Sequence, residues 1–171
     1  MAVLEIVKVP NPILRKAAEK VKRFNRDLEK LVLDLAETMY SAPGIGLAAN
    51  QVGVLKQVAV VDVSPPESPK NLLVLINAEL VESEGREELE EGCLSLPEFR
   101  EVIGRPSRIK VRAKNLKGEA IEIIAEGLLA RAVQHELDHL QGRLLLDYAG
   151  AIKRELYLRK RKKQIKKSGK R

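Results

Sequence analysis

At 171 residues, with 44% hydrophobic and 32% charged residues, the chain has the length of one domain and the composition of a soluble globular protein. No stretch approaches the roughly 20 apolar residues of a membrane span, and Glu5 and Lys8 interrupt the N-terminal apolar run, so neither a signal peptide nor a membrane partner is expected and the cytoplasm is the expected compartment. The net charge of +7 is uneven: from Lys153 to Arg171, eleven Lys and Arg face the single acid Glu155, which leaves the first 152 residues at −3.

Cys93 is the only cysteine, which excludes an internal disulfide and suits a reducing compartment. Abundant Lys and Glu beside one Cys and two Met hint at a thermophilic source.

In chain order, Val3 to Val9 alternates enough to predict a short strand, and Asn11-Pro12 has the form of a helix start. Asn25 is placed to cap a helix whose apolar residues Leu28, Leu31, Val32, Leu35 and Met39 follow three- and four-residue spacing, ending before Pro43-Gly44. Gly44 to Gly53 carries three glycines between helix and strand. It lacks the Gly-Lys-Ser/Thr ending of a phosphate loop and the dinucleotide glycine pattern, so a tight turn is the plain reading.

Gln57–Asp62 and Leu72–Asn77 predict two strands joined by the proline-rich Ser64 to Pro69 loop, and Glu79–Glu84 a third. Glu87 to Pro97 combines an acidic run, normally a solvated surface, with the lone cysteine. Arg108–Lys114 and Glu119–Ala125 predict a hairpin around Asn115 to Gly118, and the chain from Ala151 onward has helical composition. No internal repeat or domain boundary is evident. The expected class is α+β: largely antiparallel sheets around a central helix, an earlier helix in the N-terminal half, and a basic C-terminal helix, in one domain spanning 1–171 with the basic element at about 151–171.

That central helix reads Gln134-His135-Glu136-Leu137-Asp138-His139-Leu140 and holds both histidines. Residues i and i+4 lie on one helix face about 5–6 Å apart, so His135 and His139 can close on one ion. Glu136 then stands beside the ion without binding it, as a general base for water requires. Leu128, Leu129, Ala132, Val133, Leu137 and Leu140 make this helix apolar around much of its circumference, so its polar residues are expected to be buried and to need partners. A zinc-like ion needs a third protein ligand. Cys93 is the stronger donor, and a downstream acid is the alternative.

Gly44-Ile45-Gly46-Leu47-Ala48-Ala49-Asn50-Gln51, Glu91-Gly92-Cys93-Leu94-Ser95 and His135-Glu136-Leu137-Asp138-His139 resemble, in order and spacing, the three motifs of the peptide deformylase family. The likeness covers the chain to about residue 150. It implies a hydrolase that removes the formyl group from the N-terminal methionine of new polypeptides. By the resemblance, Cys93, His135 and His139 bind the metal, with Fe2+ as the active ion and Zn2+, Ni2+ or Co2+ able to replace it. Glu136 is the implied base, and the Gln51 side chain and Leu94 backbone N–H the implied oxyanion donors.

The backbone at Ile45-Gly46 and Gly92 is expected to bind the N-formylmethionyl peptide as an added strand, with Ile45, Leu128 and Ala132 around its methionine. Glu91 and Arg100 are expected to pair beneath the cysteine segment. The basic C-terminal tail is expected to contact ribosomal RNA, with no role for DNA. Two rival readings are a zinc peptidase with Glu155 as third ligand and an RNA-associated protein with a structural ion.

Overall fold

The computed structural model describes residues 2–169, so the last two residues of the basic tail lie outside it. A five-stranded antiparallel sheet runs in the order β1-β2-β3-β6-β7, from β1 (Gly46–Ala48), β2 (Val58–Val61), β3 (Leu73–Glu84), β6 (Arg108–Lys114) and β7 (Ala120–Glu126). β4 (Glu87–Cys93) and β5 (Leu96–Arg105) form a separate hairpin. The helices are α1 (Arg26–Ser41), α2 (Gly127–Leu140) and α3 (Ala151–Ser168), with short 3-10 turns at Pro12–Arg15, Ala49–Val52 and Leu145–Tyr148.

β2 shows why the sheet carries a helix on each face. All four of its residues, Val58 to Val61, are fully buried. Successive strand side chains point to opposite faces. Val58 and Val60 pack in one core with Leu28, Val32, Leu35 and Met39 of α1, while Ala59 and Val61 pack in another with Ala130, Ala132, Val133 and Leu140 of α2. A third core unites Phe99 and Ile103 of the hairpin with Val9, Leu14, Leu144 to Leu146 and Tyr157 of α3. α2 packs on the sheet and is tied to the hairpin by Arg131, whose guanidinium donates to Glu91 and to the Ile103 and Glu87 carbonyls. Its C-terminal end requires glycine: Gly142 has φ 77°, and a Cβ there would lie 2.4 Å from the Arg15 carbonyl oxygen.

Two expectations are corrected. Val3–Val9 joins neither sheet. The Val7 N–H bonds to the Gln51 carbonyl at 2.7 Å and the Val9 N–H to the Ser95 carbonyl at 2.9 Å, so this segment ties two motif loops together instead of pairing along a strand. Leu72–Asn77 and Glu79–Glu84 are one strand. Asn77, with φ 52°, makes a bulge and not a turn, and its side chain binds both Val21 backbone groups at 2.8 and 2.9 Å. The acidic run lies on β4, where its glutamates are exposed as a solvated surface would be, except for Glu91.

Asp62 anchors the loop after β2. Its carboxylate accepts from the Tyr40 hydroxyl at 2.6 Å, the Ser64 hydroxyl at 2.6 Å, and the Ser64 and Asn71 N–H groups, both at 2.9 Å. Burial alone would raise its pKa, but these bonds outweigh burial and hold the carboxyl at about 2, against an ordinary 3.8. The resulting stability is fully present above pH ~4 and is lost as pH falls through ~2; it amounts to on the order of 1–2 kcal/mol. Asp62→Asn is expected to lower stability by that amount at pH 6 and to lose the difference near pH 2, as read by urea unfolding at each pH.

Candidate metal centre and active site

α2 projects His135 and His139 from one face, with ring centroids 5.0 Å apart. Cys93, the last residue of β4, comes against them, and its Sγ lies 3.2 Å from His139 Nε2. One donor atom from each of Cys93, His135 and His139 falls within 4.8 Å of the others. Glu155, the rival third ligand, is outside this group, exposed on α3 and paired with Arg159 at 2.8 Å. A thiol and two imidazoles with room between them suit a divalent ion of borderline softness.

The surrounding charges prepare the donors. Burial, reinforced by the positive charges of His135 and Arg105, pushes His139 well below its ordinary pKa and keeps it neutral, the ligand form. Burial pulls His135 the same way, but the Cys93 and Glu91 contacts prevail and raise its proton affinity. Its Nδ1 lies 3.1 Å from Glu91 Oε1, which leaves Nε2 for the ion.

Glu91 is the anchor behind the Cys93, His135 and His139 group. Arg105 donates to both of its oxygens at 2.6 and 3.0 Å, and Arg131 adds a bond of 2.6 Å. Although burial opposes ionisation, the His135 and Arg105 contacts hold the Glu91 carboxyl down at about 2. Arg105 also reaches Asp138 at 3.0 Å, and Asp138 accepts from the Tyr148 hydroxyl at 2.6 Å.

The expected Glu91–Arg100 pair is absent. Glu91 is registered with Glu101, and Gly92 with Arg100, so Arg100 lies on the other hairpin face, where it bonds to exposed Glu90 at 2.8 Å. Sequence reading missed Arg105 and Arg131 as Glu91 partners. For Arg131 a signal existed: it interrupts the apolar Ala130, Ala132 and Val133 of a buried helix.

Glu136 sits next to the ion-binding group, its Oε1 3.9 Å from His135 Nε2. Its other oxygen is buried without a hydrogen-bond partner among the described residues, as is His139 Nδ1. Burial lifts the Glu136 carboxyl to about 7, the charges of His135 and Arg105 pulling partly back. Gly46 makes room for it: a Cβ at position 46 would stand 3.0–3.1 Å from three Glu136 side-chain atoms. Across the site, Gln51 is fixed at both ends of its amide, Oε1 accepting from the Ala48 N–H at 2.9 Å and Nε2 donating to Ser95 Oγ at 3.1 Å. Nε2 is also 3.8 Å from Cys93 Sγ.

These groups face one cavity of about 510 Å3. Gln51, Cys93, Leu94, His135 and Glu136 line it together with Ile45, Gly46, Gly92, Leu128 and Ala132, while His139 lies buried behind. Ile45 and Leu128 are half exposed at its rim. β1 is an edge strand paired only with β2 among the described residues, so its other edge is free. A second cavity, of about 550 Å3 and lined by Lys20, Glu79, Arg105, Asp138 and Tyr148 among others, includes none of Cys93, His135 and His139.

The geometry has close counterparts. A family model described as polypeptide deformylase matches residues 3–155. A peptide deformylase from Thermodesulfovibrio yellowstonii is 54% identical over 160 residues, covering 94% of this chain and 97% of that one. Among solved structures, a peptide deformylase from Legionella pneumophila superimposes with a TM-score of 0.90 at 38% identity, covering 99% of both chains. The Ehrlichia chaffeensis enzyme in complex with actinonin does so with a TM-score of 0.91 at 39% identity, covering 96% of this chain and 98% of that one.

Proposed function

The chain belongs to the polypeptide deformylase family, and on that premise we propose that Cys93, His135 and His139 hold its metal and Glu136, Gln51 and Leu94 carry out its chemistry. It is a metal-dependent hydrolase that removes the formyl group from the N-terminal methionine of newly made polypeptides, releasing formate. The observation that carries the assignment is the convergence of one thiol and two imidazoles beside a buried carboxylate, one oxygen of which has no hydrogen-bond partner among the described residues. We read the whole chain as one catalytic domain and place it in the cytoplasm; among the described residues no helix is long and apolar enough to cross a membrane.

A divalent ion bound by Cys93, His135 and His139 supplies Lewis acidity, which favours ionisation of a water and polarises the formyl oxygen. Glu136 accepts the proton of the attacking water and later delivers it to the departing amine, a double role suited to a carboxyl near 7. The Gln51 amide and the Leu94 backbone N–H donate to the oxygen that gains negative charge when water adds to the formyl carbon. The free edge at Ile45-Gly46 and the backbone at Gly92 bind the peptide main chain as an added strand. Ile45, Leu128 and Ala132 enclose the methionine side chain.

We assign Fe2+ as the native ion, with Zn2+, Ni2+ and Co2+ as substitutes, since a thiolate and two imidazoles accept each of them. Reconstituting the metal-free chain with each ion under anaerobic conditions and measuring formate from formyl-Met-Ala tests reaction, substrate and metal together. Turnover is expected with all four, highest with Fe2+. Equal turnover without any ion would defeat the reading.

The basic helix α3 is the proposed ribosomal RNA contact. Its inner face is occupied by docking: the Tyr157 hydroxyl bonds to the Pro97 carbonyl at 2.8 Å, Arg161 Nε to the Val9 carbonyl at 2.9 Å, and Lys160 to Glu98 at 3.0 Å. Lys162, Lys163, Lys166 and Lys167 are exposed and make no ion pair among the described residues. Changing these four to Gln is expected to weaken ribosome binding and to reduce its log–log salt slope by about 3, leaving formyl-Met-Ala turnover unchanged. Undiminished binding of the variant would remove α3 from the contact.

A further inference from the structure

Ser95 stands outside the metal donors and the oxyanion donors, yet it is fully buried and its hydroxyl oxygen is one of the two groups that hold the Gln51 amide. We propose that Ser95 is a positioning residue for deformylation: its Oγ takes one Nε2 hydrogen of Gln51 and so directs the other into the cavity, at the oxygen that becomes negative. The inference rests on Gln51 being an oxyanion donor.

A primary amide has two N–H donors and one carbonyl oxygen, and its two ends can exchange by rotation of the terminal torsion. Ala48 removes that ambiguity, because its N–H at 2.9 Å requires oxygen at the Oε1 position and so turns nitrogen toward the cysteine segment. Ser95 settles the remaining freedom. With Nε2 bonded to Oγ at 3.1 Å, one hydrogen is committed, and planarity fixes the direction of the second. That second hydrogen is on the nitrogen that lies 3.8 Å from Cys93 Sγ, a contact too long to be a strong hydrogen bond and therefore readily given up to an oxyanion. Donors fixed in advance are worth more to a developing charge than donors that must reorient.

The fold also holds Ser95 independently of Gln51. The Ser95 carbonyl accepts from the Val9 N–H at 2.9 Å, and Val9 accepts in turn from Arg161 of α3. The hydroxyl is thus mounted on backbone fixed from the other side. Gln51 itself lies in the 3-10 turn after β1, where Ala48 through Gln51 are buried without exception. The bond links two chain segments more than forty residues apart.

The test is a double-mutant cycle on the Zn2+-loaded enzyme with formyl-Met-Ala, comparing Ser95→Ala, Gln51→Ala and the double variant, with metal content and thermal midpoint measured for each. Gln51→Ala is expected to lower kcat by about 100-fold or more. Ser95→Ala is expected to lower kcat by about tenfold with KM unchanged, and to have no further effect once Gln51 is gone. Additive losses, or a Ser95→Ala effect confined to KM or stability, would overturn the positioning role while leaving Gln51 in place. An undiminished kcat in Gln51→Ala would instead overturn the oxyanion assignment itself. Should Ser95→Ala not fold, 15N NMR of the Zn2+-loaded wild type decides: two resolved Gln51 side-chain protons, one protected from exchange, support the proposal, and a single averaged, rapidly exchanging signal defeats it.

Discussion

Glu136→Gln is expected to abolish deformylation, by about 10²–10⁴-fold in kcat, while the chain keeps its fold and its ion. The substitution keeps the shape that Gly46 accommodates and removes the carboxylate placed to accept a proton from water beside Cys93, His135 and His139. Cys93, His135 and His139 are untouched, so ion stoichiometry is expected to stay at one per chain. Formate release and metal content, measured on the same preparation, check both halves.

The substitution carries a pH signature as well. Folding raises the Glu136 carboxyl from an ordinary 4.5 to about 7, because burial penalises the charged form. A carboxyl with a raised folded pKa favours the folded state most below its unfolded value, and that contribution declines as pH rises from about 4.5 to about 7. Between pH 4.5 and 8, metal-free wild type should therefore lose more stability than metal-free Glu136→Gln, whose amide has no proton to lose there while His135 and His139 titrate in both, and chemical unfolding at the two pH values compares them.

Much of this site was legible before folding because helical spacing is rigid. His135 and His139, four residues apart in an apolar helix, must share a face, and Glu136 must lie beside them. α1 was equally readable from Asn25, whose side chain accepts from the Leu28 N–H at 3.2 Å, and from the three- and four-residue apolar spacing behind it. The hairpin β6–β7 followed from alternation and its Asn115 to Gly118 turn.

What escaped depends on long-range pairing. Register alone decides that Glu91 shares a hairpin face with Arg105 and not with Arg100, and no local pattern contains the register. The same holds for Asn77, whose positive φ is sustained by Val21, a residue 56 positions away. Val3–Val9 alternates like a strand but finds two loop carbonyls instead of a neighbour. In the acidic run, composition indicated surface, whereas one of its glutamates became the buried partner of two arginines and His135.

Cys93 carries the assignment of the ion. Four features converge on it: it ends β4, it faces both histidines, it is the sole thiol of the chain, and Gln51 points its amide toward it. Without the thiol, two imidazoles remain, and no other acid, cysteine or histidine among the described residues completes the group. Loss of a ligand atom should cost more than the 10–100-fold typical of losing a supporting partner to a ligand, at about 100-fold or beyond in affinity. Activity should fall with it, and added ion should not restore it at concentrations that saturate the wild type.

The decisive measurement is equilibrium metal titration of Cys93→Ala beside wild type, with Fe2+ or Zn2+ and formate release followed in parallel. One ion per wild-type chain is expected, with affinity reduced about 100-fold or more in Cys93→Ala and no turnover from the variant. One ion bound at wild-type affinity by Cys93→Ala would refute the thiolate assignment and return the third ligand to an acid elsewhere in the chain.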